Sequence, residues 1–124
     1  MKKMSHLFRK FRVYQSKSPY SNDKFIEYSE EEKTSKTLYK ISKLALKHRI
    51  YILAGSIPEK EDSKIFNTSY LFNKKGKIIA KHRKMHLFDI DVKNKIYFKE
   101  SDVLTAGNKI TIANTETAAR RARA

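Results

Sequence analysis

The chain has 124 residues, with 28 Lys and Arg against 13 Asp and Glu, and a formal net charge of +15 at pH 7. A chain of this length forms one modest domain with a single core. The excess of positive charge favours polyanionic partners through long-range attraction and counterion release. The lysines are scattered along the whole chain, however, whereas nucleic-acid modules cluster their charge on one face. A basic nucleic-acid-binding module is therefore an alternative and not the main interpretation.

The sequence contains no cysteine. This excludes a disulfide framework, a thiolate metal site and a cysteine nucleophile within these residues. No apolar run approaches the roughly 20 residues that span a bilayer, and no hydrophobic signal region follows the basic N-terminus. We therefore expect a protein that crosses no membrane and works in the cytoplasm. The acid-free start of the chain loosely resembles a transit peptide, which leaves mitochondria as an alternative.

The first 30 residues show no clean periodicity and contain turn-forming residues at 18–23, so we expect a loop there. From Ser35 the apolar residues recur at steps of three and four, which predicts an amphipathic surface helix. The residues of this stripe are Leu38, Ile41, Leu44, Ala45 and His48. Thr34 or Ser35 can cap the start of the helix, and its lysines form the solvated face.

Three later segments predict strands. The segment IYILAG, residues 50–55, is a short apolar run that indicates a strand buried on both faces. The runs at 68–73 and 77–84 are separated by a turn signal ending at Gly76 and predict a β-hairpin. A last extended run covers residues 109–115. A helix followed directly by such strands indicates a layered α/β domain.

The stretch KIIAKHRKMHLFDID, residues 77–91, combines cations, histidines and aspartates. Its possible metal ligands are His82, His86, Asp89 and Asp91. The adjacent cations would repel a divalent ion and no HExxH-type pattern is present, so we predict no metal. A nucleic-acid patch would need interleaved aromatic residues for stacking, and Phe88 is the one aromatic residue here.

A catalytic interpretation of the same stretch starts from a lysine at the end of a buried strand. A scaffold can hold its ammonium rigidly, and an acidic partner can keep it charged. Such a fixed cation suits the stabilisation of an oxyanion that develops in acyl transfer. The alternative is a strand end with a solvated basic face.

Three segments carry motifs that together favour the catalytic interpretation. They are AGSIPE at 54–59, FNTSYLFNKKGKIIAKHRKMHLFDIDV at 66–92 and IYFKESDVLTAGNKI at 96–110. In order, they contain G-S-I-P-E, N-[ST]-x-x-x-F-x-x-x-G, K-x-R-K-x-H-L-F-D and F-x-E-S. This combination resembles the middle of a nitrilase-superfamily carbon–nitrogen hydrolase, most closely the omega-amidase branch.

The resemblance implies a site. In the family, a Glu base, a Lys and a Cys nucleophile hydrolyse an amide through a thioester. The family lysine falls on Lys84, which would stabilise the tetrahedral oxyanion. Glu100 resembles a second family acid that positions the lysine or the substrate, and the alternative is an exposed Glu after an aromatic strand residue. The position of the base aligns with Tyr14, and an unperturbed tyrosine, with a pKa of about 10, is a poor base near neutrality.

The resemblance covers about residues 16–116. We divide the chain into a divergent N-terminus (1–15), a partial carbon–nitrogen hydrolase domain (16–116) and an unrelated Ala/Arg tail (117–124). The implied fold is the first, incomplete part of a four-layer α-β-β-α sandwich.

The implied parent reaction is the hydrolysis of the terminal amide of small dicarboxylate monoamides, such as alpha-keto acid amides, to acid and ammonia. It needs no metal or organic cofactor, and the complete family member is expected to form homo-oligomers. Because this chain lacks the Cys and the base Glu, we expect it to be inactive. The main alternative is a non-catalytic fragment that associates with full-length subunits.

Overall fold

The computed structural model describes residues 22–115, which form a mixed α/β structure with antiparallel sheets. The helices are α1 (Asn22–Glu27) and α2 (Lys36–His48), with 3-10 turns at Glu32–Thr34 and Glu100–Asp102. The strands are β1 (Ile52–Glu61), β2 (Lys64–Phe72), β3 (Ile78–Arg83), β4 (Asp89–Val92) and β5 (Ile96–Lys99). The first three strands form one sheet in the order β1-β2-β3, and β4 and β5 form a separate two-stranded ribbon. The predicted α/β class is therefore confirmed.

Helix α2 forms where the periodicity predicts it. The Ser35 side chain caps its start, since Oγ accepts a hydrogen bond from the Leu38 amide at 3.0 Å. The helix ends at Arg49, which adopts the left-handed conformation with φ 49°. The spacing places His48 in the apolar stripe, but the structure leaves this residue exposed. The core between the helix and the sheet consists of Leu38, Ile41, Ala45, Ile52, Ala54, Tyr70 and Phe72.

The predicted hairpin is confirmed as β2 and β3. Asn73 shapes its turn, because Oδ1 accepts hydrogen bonds from the amides of Lys75 at 3.0 Å and Lys77 at 2.9 Å. Gly76 adopts φ 75°, a conformation that glycine tolerates without strain. The Ser42 hydroxyl donates to the Gly76 carbonyl at 2.6 Å and so fastens the turn to α2.

Strand β1 departs from the prediction in length and burial. It does not stop at Gly55 or Pro58 but continues to Glu61, with a register shift between Ala54 and Ile57. Such an irregularity absorbs an extra residue and lets pairing with β2 resume beyond it. The strand is also not buried on both faces, since Leu53 is 45% exposed. Its buried residues Ile52 and Ala54 lie on the face that packs against α2.

Two other segments differ from expectation. Within the first 30 residues, α1 replaces part of the expected loop and buries one apolar side chain, Phe25. A single anchor in six residues leaves no periodic pattern to detect. The run at 109–115 joins neither sheet, and Ile110 and Ile112 are more than 80% exposed. Its Thr111 hydroxyl donates to the Lys81 carbonyl at 3.0 Å, a side-chain contact in place of a strand ladder.

Neither of the helices between residues 22 and 115 has the length and apolar character needed to cross a membrane.

Candidate active site

The candidate site is built around Lys84. This residue directly follows β3, which lies at the edge of the three-stranded sheet. The Lys84 amide donates to the Asn67 carbonyl at 2.8 Å, and its carbonyl accepts from the Gly107 amide at 2.9 Å. Both backbone groups of Lys84 are therefore hydrogen-bonded to neighbouring segments. The catalytic interpretation expects this lysine at the end of a buried strand, but the residues of β3 are half-buried or exposed.

The structure brings the two predicted site residues together. Lys84 Nζ donates to Glu100 Oε2 at 2.8 Å. Glu100 is only 8% exposed, so the alternative of an exposed glutamate is wrong. The same Oε2 accepts from the Phe88 amide at 2.9 Å, and the Glu100 amide donates back to the Phe88 carbonyl at 3.0 Å. The Glu100 carboxylate thus holds the Lys84 side chain and also fastens the loop between Lys84 and β4 through the backbone of Phe88.

The Lys84 ammonium is held but still accessible. Its side chain is 36% exposed, whereas that of Glu100 is 10% exposed. A cation fixed in this way pays no reorganisation cost when negative charge develops beside it. The arrangement can therefore stabilise an oxyanion on a molecule that approaches from the solvent side.

Asp89 holds the turn that carries Glu100. Its Oδ1 accepts from the Ser101 amide at 3.1 Å, and its Oδ2 accepts from the Ser101 hydroxyl at 2.7 Å. These hydrogen bonds, the hydroxyl first and then the amide, lower the pKa of the Asp89 carboxyl. Asp89 also pairs with Lys99 across the β4–β5 ribbon, so the 3-10 turn is fixed at its start.

A second buried carboxylate, Glu59, was not predicted as a site residue. It is 2% exposed. It accepts hydrogen bonds from Thr68 Oγ1 at 2.6 Å, from Arg83 Nε at 2.9 Å and from Arg83 Nη2 at 2.8 Å, and it forms an ion pair with Lys81. The sequence contained one signal, the K-x-R pattern at 81–83, which places two cations on one face of β3. This strand is separated from Glu59 on β1 by β2 alone, and a buried Glu needs such partners.

The electrostatics of Glu59 exclude a role as general base. Burial raises the pKa of its carboxyl, but hydrogen bonds from Arg83, Lys81 and Thr68 outweigh burial and bring the pKa from 4.5 to about 2. A base with so low a pKa has little tendency to take a proton near neutrality. Glu59 is therefore better suited to hold its cationic partners in place than to act as a general base.

Arg83 and Lys81 are also held by groups other than Glu59. The Arg83 guanidinium lies 3.7 Å from the centre of the Phe66 ring, and its Nη2 is 3.0 Å from Glu61 Oε2. Lys81 Nζ is 3.3 Å from Glu32 Oε1. The hydrogen bond to Glu59 raises the pKa of Arg83 above its ordinary value. Arg83 and Glu59 therefore both stay ionised near neutrality.

A cavity of about 320 Å³ adjoins the cluster. It is lined by Lys81, Arg83, Asn108, Lys109 and Thr111. Two of its three cations are paired with carboxylates, so it offers an anion much less positive charge than its lining suggests. Lys84 does not line it.

The four possible metal ligands do not converge. His82 Nδ1 lies 3.2 Å from Thr111 Oγ1, and Asp89 is engaged with Ser101. Between residues 22 and 115, no three His, Asp or Glu side chains gather in a way that could hold a metal ion. Tyr14, the residue aligned with the family base, lies outside the described residues.

Comparison with known proteins gives consistent matches. The family model for carbon–nitrogen hydrolases matches residues 14–122. The chain is 50% identical over 99 residues to Nitrilase homolog 2 of Dictyostelium discoideum, covering 78% of this chain and 30% of that protein. It is 46% identical over 104 residues to Omega-amidase NIT3 of Saccharomyces cerevisiae, covering 80% of this chain and 36% of that protein. The chain thus spans about a third of the length of the curated relatives it matches.

Among solved structures, the chain matches the crystal structure of Saccharomyces cerevisiae Nit3, described as a member of branch 10 of the nitrilase superfamily. The TM-score is 0.64 at 38% sequence identity, over 80% of this chain and 35% of that one.

Proposed function

The chain belongs to the carbon–nitrogen hydrolase family, and from this premise we propose that it carries two residues of an amidase site. Lys84 is the cation that stabilises the oxyanion, and Glu100 is the residue that orients it. The observation that carries the proposal is the 2.8 Å contact between Lys84 Nζ and a Glu100 carboxylate that is itself buried and bound to the Phe88 amide.

The chemistry of amide hydrolysis explains why this pair is useful. Attack on the amide carbonyl moves negative charge onto its oxygen, and a preorganised cation lowers the energy of that state. Glu100 directs the ammonium through its hydrogen bond and is not consumed in the reaction. The thiolate that the family uses as its nucleophile is not among these residues, because the sequence contains no cysteine. We therefore propose that the 124 residues alone release no ammonia from amides.

The substrate class follows from the relatives. We propose that the parent reaction hydrolyses the terminal amide of a small dicarboxylate monoamide, such as an alpha-keto acid amide. This proposal is supported by the 46% identity between the chain and a protein named Omega-amidase NIT3. For the complete family member, we also propose a four-layer α-β-β-α sandwich and homo-oligomers. Both rest on the resemblance alone. The proposed location is the cytoplasm, with mitochondria as the alternative.

A chimera tests the roles of Lys84 and Glu100 in an active enzyme. Residues 54–110 of this chain would replace the matching segment of yeast Omega-amidase NIT3, and ammonia release from an alpha-keto acid monoamide would be measured. The chimera should be active. Lys84→Met should lower kcat by roughly a hundredfold or more, which is the effect on kcat of removing one donor from an oxyanion hole. Glu100→Gln should lower kcat less, because the lysine remains.

The matched control is Lys75→Met, which removes an exposed lysine from the turn between β2 and β3 and should leave kcat unchanged. A Lys84→Met chimera with full activity would refute the proposal. A folded but inactive parent chimera would instead support the alternative of a non-catalytic segment.

A further inference from the structure

One buried carboxylate joins all three strands of the main sheet. Glu59 lies on β1, its hydroxyl donor Thr68 lies on β2, and its bidentate partner Arg83 is the last residue of β3. Thr68 and Arg83 are also direct partners in the β2–β3 register. The strands are thus tied together by side chains at the point where the ladder of β3 ends.

We propose that Glu59 is a positioning residue for Lys84, because it anchors Arg83 and thereby fixes the end of β3 from which Lys84 extends. The proposal rests on the proposed function for the role of Lys84, but not for the geometry that it describes.

The first step is that Arg83 is held in one orientation. Two parallel hydrogen bonds to one carboxylate fix both the position and the plane of the guanidinium. The Phe66 ring, 3.7 Å from Arg83 Cζ, supports one face of that plane. Breaking this arrangement would leave a carboxylate with 2% exposure short of its partners, which is costly.

The second step is that Lys84 follows Arg83 without an intervening residue. Its amide bonds to Asn67, the residue before Thr68, and its carbonyl bonds to Gly107. Because β3 is an edge strand, its end has a neighbour on one side only within the sheet. Fixing Arg83 therefore limits how far the Lys84 backbone can move relative to Glu100.

The third step separates Glu59 from the exposed acids nearby. Glu61 also contacts Arg83 Nη2, at 3.0 Å, but its side chain is 55% exposed. A partly hydrated contact of this kind adds little rigidity. The positioning role thus belongs to Glu59, and Glu61 provides a matched control with the same charge and the same arginine partner.

The test follows the accessibility of the Lys84 amine in the 124-residue chain. A lysine amine that leaves its carboxylate partner reacts faster with an acylating reagent, and peptide mass spectrometry gives the rate for each lysine. Glu59→Gln should speed acylation of Lys84 by about threefold, the size expected for loss of a partly exposed ion pair. Glu61→Gln should leave the rate unchanged. The exposed helix lysines Lys40 and Lys47 serve as internal references.

Further variants make the outcome decisive. Arg83→Met should reproduce the effect of Glu59→Gln, and the double variant should add nothing, because both act through one contact. Glu100→Gln removes the partner of Lys84 directly and shows the full size of the response. Where Glu59→Gln fails to fold by circular dichroism, Arg83→Lys replaces it, since it keeps the charge but loses the bidentate geometry.

The inference is overturned if Glu100→Gln speeds the acylation of Lys84 while a folded Glu59→Gln leaves it at the wild-type rate. That result would leave the proposed function standing. If Glu100→Gln itself has no effect, the Lys84–Glu100 pair does not hold in solution, and both the inference and the observation that carries the proposed function fall.

Discussion

Arg83 donates two hydrogen bonds to Glu59, from Nε at 2.9 Å and from Nη2 at 2.8 Å, and so pairs a partly exposed guanidinium with a buried carboxylate. Removing one partner of a buried pair costs more than the pair contributes, because the other charge stays desolvated. We expect Glu59→Gln to lower the free energy of unfolding by about 3 kcal/mol. Urea denaturation of the two proteins measures this directly.

Glu61→Gln serves as the control for that measurement, since it removes an exposed acid that contacts the same arginine. It should change the urea midpoint much less. Equal effects of the two substitutions would show that Glu59 contributes only surface electrostatics.

The same carboxylate predicts an acid-sensitive stability. Its pKa is lowered from 4.5 to about 2 by its partners, despite burial. A group whose pKa falls on folding stabilises the folded state above its unfolded pKa, and this contribution is lost as the pH drops through the folded value. We expect Glu59 to contribute about 3 kcal/mol near neutrality, lost progressively from about pH 4.5 to pH 2.

Urea midpoints measured across that pH range check the prediction. The wild-type protein should lose stability steeply between pH 4.5 and pH 2, and Glu59→Gln should show a shallower loss because its side chain does not titrate there. Parallel curves for the two proteins would contradict the assignment of this pH dependence to Glu59.

Gly107 is predicted to be intolerant of a side chain. A Cβ at this position would lie 2.2 Å from the Arg83 carbonyl oxygen and 2.7 Å from Arg83 Cβ. Backbone cannot yield as a flexible side chain does, so Gly107→Ala should shift the loop and weaken its hydrogen bond to the Lys84 carbonyl. We expect a loss of about 2 kcal/mol of unfolding free energy, typical of overpacking. Thermal unfolding measures this loss as a lower midpoint temperature for Gly107→Ala. Asn108→Ala, at the exposed neighbouring position, should have little effect on the same midpoint.

Local signals predicted the elements that local chemistry determines. The cap at Ser35 and the turn residues Asn73 and Gly76 act over a few positions, and both α2 and the hairpin appear where they indicate. The extent of β1 depends instead on its pairing with β2, which restores the ladder after the irregularity at Ala54 and Ile57. No pattern within β1 itself reports that partner.

The candidate site also combines residues that the sequence predicts with a residue whose position depends on the folded sheet. Composition left the stretch around Lys84 ambiguous, and the family motifs singled out Lys84 and Glu100, which the structure places in contact. Their catalytic roles stay a prediction. The burial of Glu59 cannot be predicted in this way, because it depends on the register that sets Thr68 opposite Arg83, and that register is a property of the folded sheet.

Asp89 is predicted to keep the Glu100 turn closed. It accepts two hydrogen bonds from Ser101, the residue after Glu100. Asp89→Ala removes both acceptors, so the Ser101 amide should exchange its hydrogen faster, by about fivefold for each kcal/mol of protection lost. Asp91→Ala is the matched control, because Asp91 is an exposed acid on the same strand, and its Oδ2 lies 3.9 Å from Lys99 Nζ. Hydrogen exchange followed by NMR resolves the Ser101 amide in both variants.

Unchanged exchange in Asp89→Ala would mean that the Phe88 and Lys84 contacts hold the Glu100 turn without Asp89. Faster exchange in Asp89→Ala alone would place Asp89 among the residues that position Glu100.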